Sequence, residues 1–137
     1  MKIIIGQRKT VGEPHTVNIV SSFALPNSIQ FAAMPSNSNN ESLRVPGQNN
    51  VVIAVNARSF APTVIDSPGD VMHFAVKVGY TMNGSENYVT SGWFLPKGQE
   101  QGFPEPSTSF TITFQKAGIY SYICQLHPWM VGTVAIK

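Results

Sequence analysis

Charge is scarce in this chain: Asp, Glu, Lys and Arg make up 12% of its 137 residues, about half the usual quarter. The 9 Lys+Arg and 7 Asp+Glu leave a formal net charge of +2, and the basic residues form no cluster. That argues against nucleic acid as a partner, because phosphate binding needs a Lys/Arg footprint. Cysteine is scarcer still. A single one, Cys124, excludes an internal disulfide framework, so a thiol that matters here is a ligand, a nucleophile or a packing residue. No apolar run approaches the roughly 18 residues of a membrane span. The opening Met1-Lys2-Ile3-Ile4-Ile5-Gly6 turns polar too soon for a signal peptide. Two expectations follow: a cytoplasmic chain, or a domain of an exported protein whose leader or anchor is missing here. Helical periodicity over any useful length is also lacking.

What the chain does have is hydrophobic material (42%) in alternating or short runs, broken by its 11 Gly and 10 Pro. This is the pattern of an all-β sandwich or barrel. Strands are predicted over Val51–Asn56, Val71–Val78, Asn87–Leu95, Ser109–Phe114, Ile119–Cys124 and Gly132–Ile136. Met72, Phe74, Val76 and Val78 share the predicted core face of the second, which turns His73 outward. Phe110, Ile112 and Phe114 point inward from the fourth. Tyr80–Glu86 reads as a loop, and Lys97–Ser107 as a polar surface connection. In the first fifty residues, Ile3–Ile5 and His15–Val20 have strand character and Asn27–Met34 is ambiguous. Ser36–Gln48 reads as a polar loop.

Chemistry concentrates near the C-terminus, in Cys124-Gln125-Leu126-His127-Pro128-Trp129-Met130. A thiol, an imidazole and a thioether at spacing i, i+3, i+6 can converge from one tight loop, which Pro128 is expected to stiffen. Thiolate and thioether suit soft Cu(I), while imidazole serves both copper states. Taken singly, Cys, His and Met are more often packing residues. A nucleophilic Cys124–His127 pair is an alternative, but a third, orienting group is not evident. Zinc is another, which the thioether disfavours.

The phrase Tyr120-x-Tyr122-x-Cys124-x-x-His127-Pro128-x-Met130-x-Gly132 resembles the copper loop of the cupredoxins, the type 1 blue copper proteins. Its short spacing is most similar to that of amicyanin, and Cys124–Pro128 also has some likeness to nitrosocyanin. Upstream, Gly69-Asp70-Val71-Met72-His73-Phe74 is similar to the family's Gly-Asp-x-Val-x-Phe strand. The resemblance covers residues 51–137 and implies a Greek-key β-sandwich core there, with residues 1–50 as an N-terminal β elaboration of the same domain. It further implies one copper ion per chain, cycling between Cu(I) and Cu(II), and one-electron transport. By the same resemblance, redox proteins dock transiently and the chain works in an extracytoplasmic compartment, periplasmic or cell-surface. A membrane anchor in a longer precursor is compatible with that.

A type 1 site takes two His and a Cys with a weak axial Met. Where the family has its first His, this chain has Asn87, in Glu86-Asn87-Tyr88-Val89-Thr90-Ser91-Gly92. His73 and His15 remain as sources of a second imidazole. Pro14-His15-Thr16-Val17 carries the family's missing wording, so the expected metal set is Cys124, His127, Met130 and His15, the last supplied by the N-terminal segment. The resemblance also implies N–H donors to the thiolate. His127 would be an electron port, within an apolar patch of Pro128, Trp129 and Met130 that Trp93 and Phe94 are candidates to join. Trp93 fits core packing better. Two other functions stay open: an oxidoreductase whose open copper site takes a small ligand, favoured by Asn87, and a copper-delivery module.

Overall fold

Alternating side chains let a short strand bury one face, and short strands of this kind build nearly the whole structure. The structure is a computed structural model. It describes residues 1–6, 14–20, 42–46, 49, 52–67, 70–74, 79–96, 98–99, 101, 109–127 and 129–137. The strands are β1 (Lys2–Gly6), β2 (His15–Val20), β3 (Ser42–Pro46), β4 (Val52–Asn56), β5 (Thr63–Asp66) and β6 (Val71–His73). They continue as β7 (Tyr80–Met82), β8 (Glu86–Phe94), β9 (Ser109–Phe114), β10 (Gly118–Ile123) and β11 (Val131–Ile136), and a single helical turn, α1 (Ala57–Phe60), follows β4.

Six strands form one sheet in the order β11-β10-β2-β8-β5-β6, three form another in the order β1-β9-β7, and β3 pairs with β4. The six-stranded sheet supplies Val17, Ile19, Val64, Val89, Phe94 and Ile136 to a core completed by Met82, Phe110, Ile112 and Phe114 of the three-stranded sheet. The fold is therefore an all-β sandwich. Phe110, Ile112 and Phe114 are inward as their alternation requires.

Departures from expectation have local causes. Ser42–Pro46 is strand β3 rather than loop: antiparallel pairing with β4, Leu43 opposite Val55, supplies what five residues of weak pattern do not. Tyr80–Met82 is strand β7 rather than loop, running parallel to β9. Three residues are too few for alternation to show. The strand expected from Val71 onward is assigned only as far as His73, and Met72 is 50% exposed rather than core. It lies on β6, which among the described residues is an edge strand of the larger sheet, with a neighbouring strand on one flank alone. Phe74 does pack inward, with ring centroids 5.3 Å from Tyr80 and 5.9 Å from Phe110. Residues 27–34 and 75–78, Pro128 and most of the 97–107 connection lie outside the described residues.

Two features of β8 place the site. Thr16 pairs with Trp93 and Asn18 with Thr90, so Val17 faces two residues, Ser91 and Gly92. This is a β-bulge. Its freed groups are satisfied locally: Val17 N donates to Ser91 Oγ (2.9 Å), Ser91 Oγ to Gly92 O (2.7 Å), and Gly92 N to Thr90 Oγ1 (3.1 Å). The extra residue reverses the alternation. Val89 is in the core before the bulge and Phe94 after it, while Trp93 turns to the other face against Phe60 at 4.9 Å. Phe94, buried, is thus no part of an exposed apolar patch, whereas Trp93 packs in partial burial.

Gly92 has φ +67°, and a Cβ there would run into the Phe60 carbonyl oxygen and sit 2.8 Å from the Ala61 carbonyl carbon. Gly92→Ala combines a left-handed backbone penalty with an immovable backbone clash, for a loss of about 3 kcal/mol in urea unfolding. At the β7–β8 turn, Tyr80 OH donates to Glu86 Oε1 (3.0 Å). Burial, then the Glu86 carboxylate, pushes the Tyr80 phenol up from 10.0 to about 12. The folded chain therefore holds this proton more tightly than the unfolded one. The associated stability is whole below pH 10 and is lost as pH rises toward about 12. In an alkaline titration followed by phenolate absorbance, Glu86→Gln should bring the Tyr80 transition to lower pH.

Candidate metal centre

Strand β2 sits between β8 and β10, and its register fixes what meets at one end of the sheet. On one side His15 pairs with Phe94. On the other, Asn18 pairs with Ile123, the last residue of β10. Carrying that antiparallel register onward lays His15 beside the loop that Cys124 begins. The loop is closed by its own backbone: Cys124 N donates to Met130 O (3.0 Å) and Met130 N to His127 O (2.8 Å).

These constraints bring His15, Cys124 and His127 together, with one ligand atom from each lying within 4.8 Å of the others. Cys124 Sγ is 3.6 Å from His127 Nδ1, and the two imidazole centroids are 4.7 Å apart at 40°. Cys124 is buried, and both histidines are partly buried. The donors to the sulfur come from β2: Thr16 N at 3.4 Å and Thr16 Oγ1 at 3.8 Å.

Thr16 is held in turn. Its Oγ1 accepts from Asn18 Nδ2 (2.7 Å) and from Gln125 N (2.8 Å). Asn18 Nδ2 also donates to Ile123 O (2.8 Å). Tyr88 OH accepts from Gln125 Nε2 (2.9 Å) and lies within donating distance of Asn18 Oδ1 (3.2 Å) and Arg58 O (3.1 Å). Burial raises the Tyr88 phenol pKa far above its ordinary value, so it remains protonated. Sequence reasoning missed Thr16, Asn18, Tyr88 and Gln125 as a group. The available signal was polar Thr16 and Asn18 alternating with apolar Val17 and Ile19 in one strand. Both polar residues are buried, so both faces of β2 are covered.

The other expected residues stand as follows. The Met130 backbone closes the loop, but its side chain is 44% exposed. Trp129 is 75% exposed, edge-on to His127 at 5.3 Å. His73 lies outside the cluster, with Nδ1 2.9 Å from Thr63 Oγ1 on the neighbouring strand. Asn87 is at the opposite end of β8 from the His15 pairing, seven residues or roughly 23 Å along the strand. It is the extra residue of a second bulge, and its Nδ2 donates to the carbonyls of Asp66 (3.3 Å) and Ser67 (3.4 Å). It ties a turn.

One thiol and two imidazoles suit a soft or borderline divalent or monovalent ion, copper or zinc. Thr16 N and Thr16 Oγ1 are the donors that a metal-bound thiolate would use, since hydrogen bonds to an anion are the stronger ones. No protein-family model matches the chain, and neither does any curated protein or solved structure.

Thr16→Val keeps the shape of the side chain but leaves Gln125 N–H and Asn18 Nδ2 short of an acceptor. Urea unfolding should show a loss of about 3 kcal/mol, while Thr16→Ser, which keeps the oxygen, should cost about 1 kcal/mol or less.

Proposed function

We propose that this chain is a copper-binding electron-transfer protein of cupredoxin type. His15, Cys124 and His127 would hold the ion, with Met130 as a weak further donor. A single observation supports the reading: a buried thiol and two imidazoles have ligand atoms within 4.8 Å of one another. The short Cys-x-x-His-x-x-Met phrase agrees with it. Bound there, copper would supply a one-electron couple between Cu(I) and Cu(II).

The chain's own residues account for the rest of the function. Burial of Cys124 keeps water from the sulfur, and Thr16 supplies it with donors. The closed loop, with backbone bonds at both Cys124 and Met130, limits rearrangement between oxidation states. His127 is partly exposed and neighbours exposed Trp129, which gives electrons a short way to the surface. Exposed Trp129, Met130 and Val131 suit transient docking of a redox protein rather than a permanent interface.

The 44% exposure of Met130 favours a second reading, an open copper site that takes a small ligand and reacts with it. Copper delivery without redox turnover is the remaining alternative.

Titrating metal-free protein with Cu(II) tests the proposal. Expected are one ion retained per chain after desalting and an intense sulfur-to-copper absorption that ignores added azide. Cys124→Ser should lose that absorption with its far-ultraviolet circular dichroism intact. His15→Ala should weaken or recolour the site. A shift of the band with azide would favour the open site, and retention of Cu(I) but not Cu(II) would favour delivery. An empty protein, or one preferring zinc in competition, would overturn the copper reading.

A further inference from the structure

We propose that Asn18 and Tyr88 are positioning residues that act on Cys124 through Thr16, by fixing the direction in which the Thr16 hydroxyl points its proton. Donors and acceptors around that hydroxyl match one to one. A hydroxyl has one proton to give and two lone pairs to accept with, whereas an amide N–H only donates. Asn18 Nδ2 (2.7 Å) and Gln125 N (2.8 Å) both aim at Thr16 Oγ1 and occupy its two lone pairs. The proton is left for Cys124 Sγ at 3.8 Å, beside the backbone donor at 3.4 Å.

Asn18 cannot reverse its amide to spoil this arrangement. Its Nδ2 also donates to the Ile123 carbonyl, which only accepts, and its Oδ1 faces the Tyr88 hydroxyl. Tyr88 is itself fully buried, close to the Arg58 carbonyl and receiving from Gln125 Nε2. Gln125 therefore meets the network twice, through its backbone N–H at Thr16 and its side chain at Tyr88. The residue following the thiol is thus clamped from both ends. Gln125 Oε1 is buried without a hydrogen-bond partner, but the bonds that reach Thr16 Oγ1 run one way, and that direction ends on the sulfur.

The effect on a bound ion rests on the copper reading above; the direction of the hydroxyl does not. Two measurements separate them. Cys124 is the chain's one cysteine, so metal-free protein has a single S–H stretch in its Raman spectrum. Tyr88→Phe and Asn18→Leu should both move that band in the direction that Thr16→Val moves it. Val89→Ala, next to Tyr88 but facing the core, should leave it in place. In protein loaded with Cu(II), Tyr88→Phe and Asn18→Leu should lower the energy of the sulfur-to-copper absorption. They should also raise affinity for Cu(II) relative to Cu(I) about tenfold, since a sulfur with one donor fewer gives more charge to the metal. Thr16→Ser should retain the wild-type band. If Asn18→Leu does not fold, Tyr88→Phe alone decides. An S–H band unmoved by Tyr88→Phe, or moved equally by Val89→Ala, would overturn the proposal. A protein that holds no copper but shows the expected S–H shifts would overturn the copper reading and leave the positioning role supported.

Discussion

The pairing of β2 with β10 is the constraint on which the rest of the structure depends. It joins Thr16 to Cys124 and Gln125 across 108 and 109 residues of chain, and no local preference of either segment would bring them together. Three backbone register positions, Ser121 with Val20, Tyr122 with Ile19 and Ile123 with Asn18, align the strand. One residue of slip would exchange its two faces. Val17 and Ile19 would then leave the core, and Thr16 and Asn18 would face the opposite sheet with their hydrogen bonds broken. Both faces of β2 are covered, so both penalise the slip, and the position of His15 inherits that certainty.

The bulge at Ser91–Gly92 works on the other flank of the same strand. Without an extra residue, β8 would keep one alternation throughout and Trp93 would take the core position that Phe94 occupies. The reversal lets β8 bury Val89 against the facing sheet and then close the end of the core with Phe94 beside His15. Trp93 is released to pack on Phe60, over the helical turn that also presents the Arg58 carbonyl to Tyr88. The core, the turn and the polar network behind the cysteine are thus joined at one irregularity.

Much of this is legible in the amino-acid order, and the illegible parts share a cause. β9 alternates cleanly because one of its faces is wholly buried, and Phe110, Ile112 and Phe114 read directly as core. The Cys124–His127 spacing is local, so it too can be read. β3 and β7 are short and owe their form to partners, which composition does not reveal. Asn87 illustrates the limit from the other side. Its phrase resembles one in which a ligand is expected; in the fold it ties the turn at Asp66 and Ser67. The order of strands in the sheet, with an early strand set between two late ones, is what a linear pattern leaves out. For the same reason the buried Tyr88–Asn18–Gln125 network is invisible before the strands are arranged.

The placement of β2 also has a consequence in time. A chain made from its N-terminus exposes β2 long before β10 exists, and the pairing of His15 with Phe94 and its ring contact with His127 are both of high sequence separation. The half of the cluster contributed by the loop can form as soon as β10 and β11 pair, since their register runs continuously from Gly118 with Ile136 to Ile123 with Val131. The upstream imidazole must wait for a strand to slot into a gap between neighbours already made or still to come. The three side chains thus come together by two routes, the loop pair by local strand pairing and His15 by a long-range one.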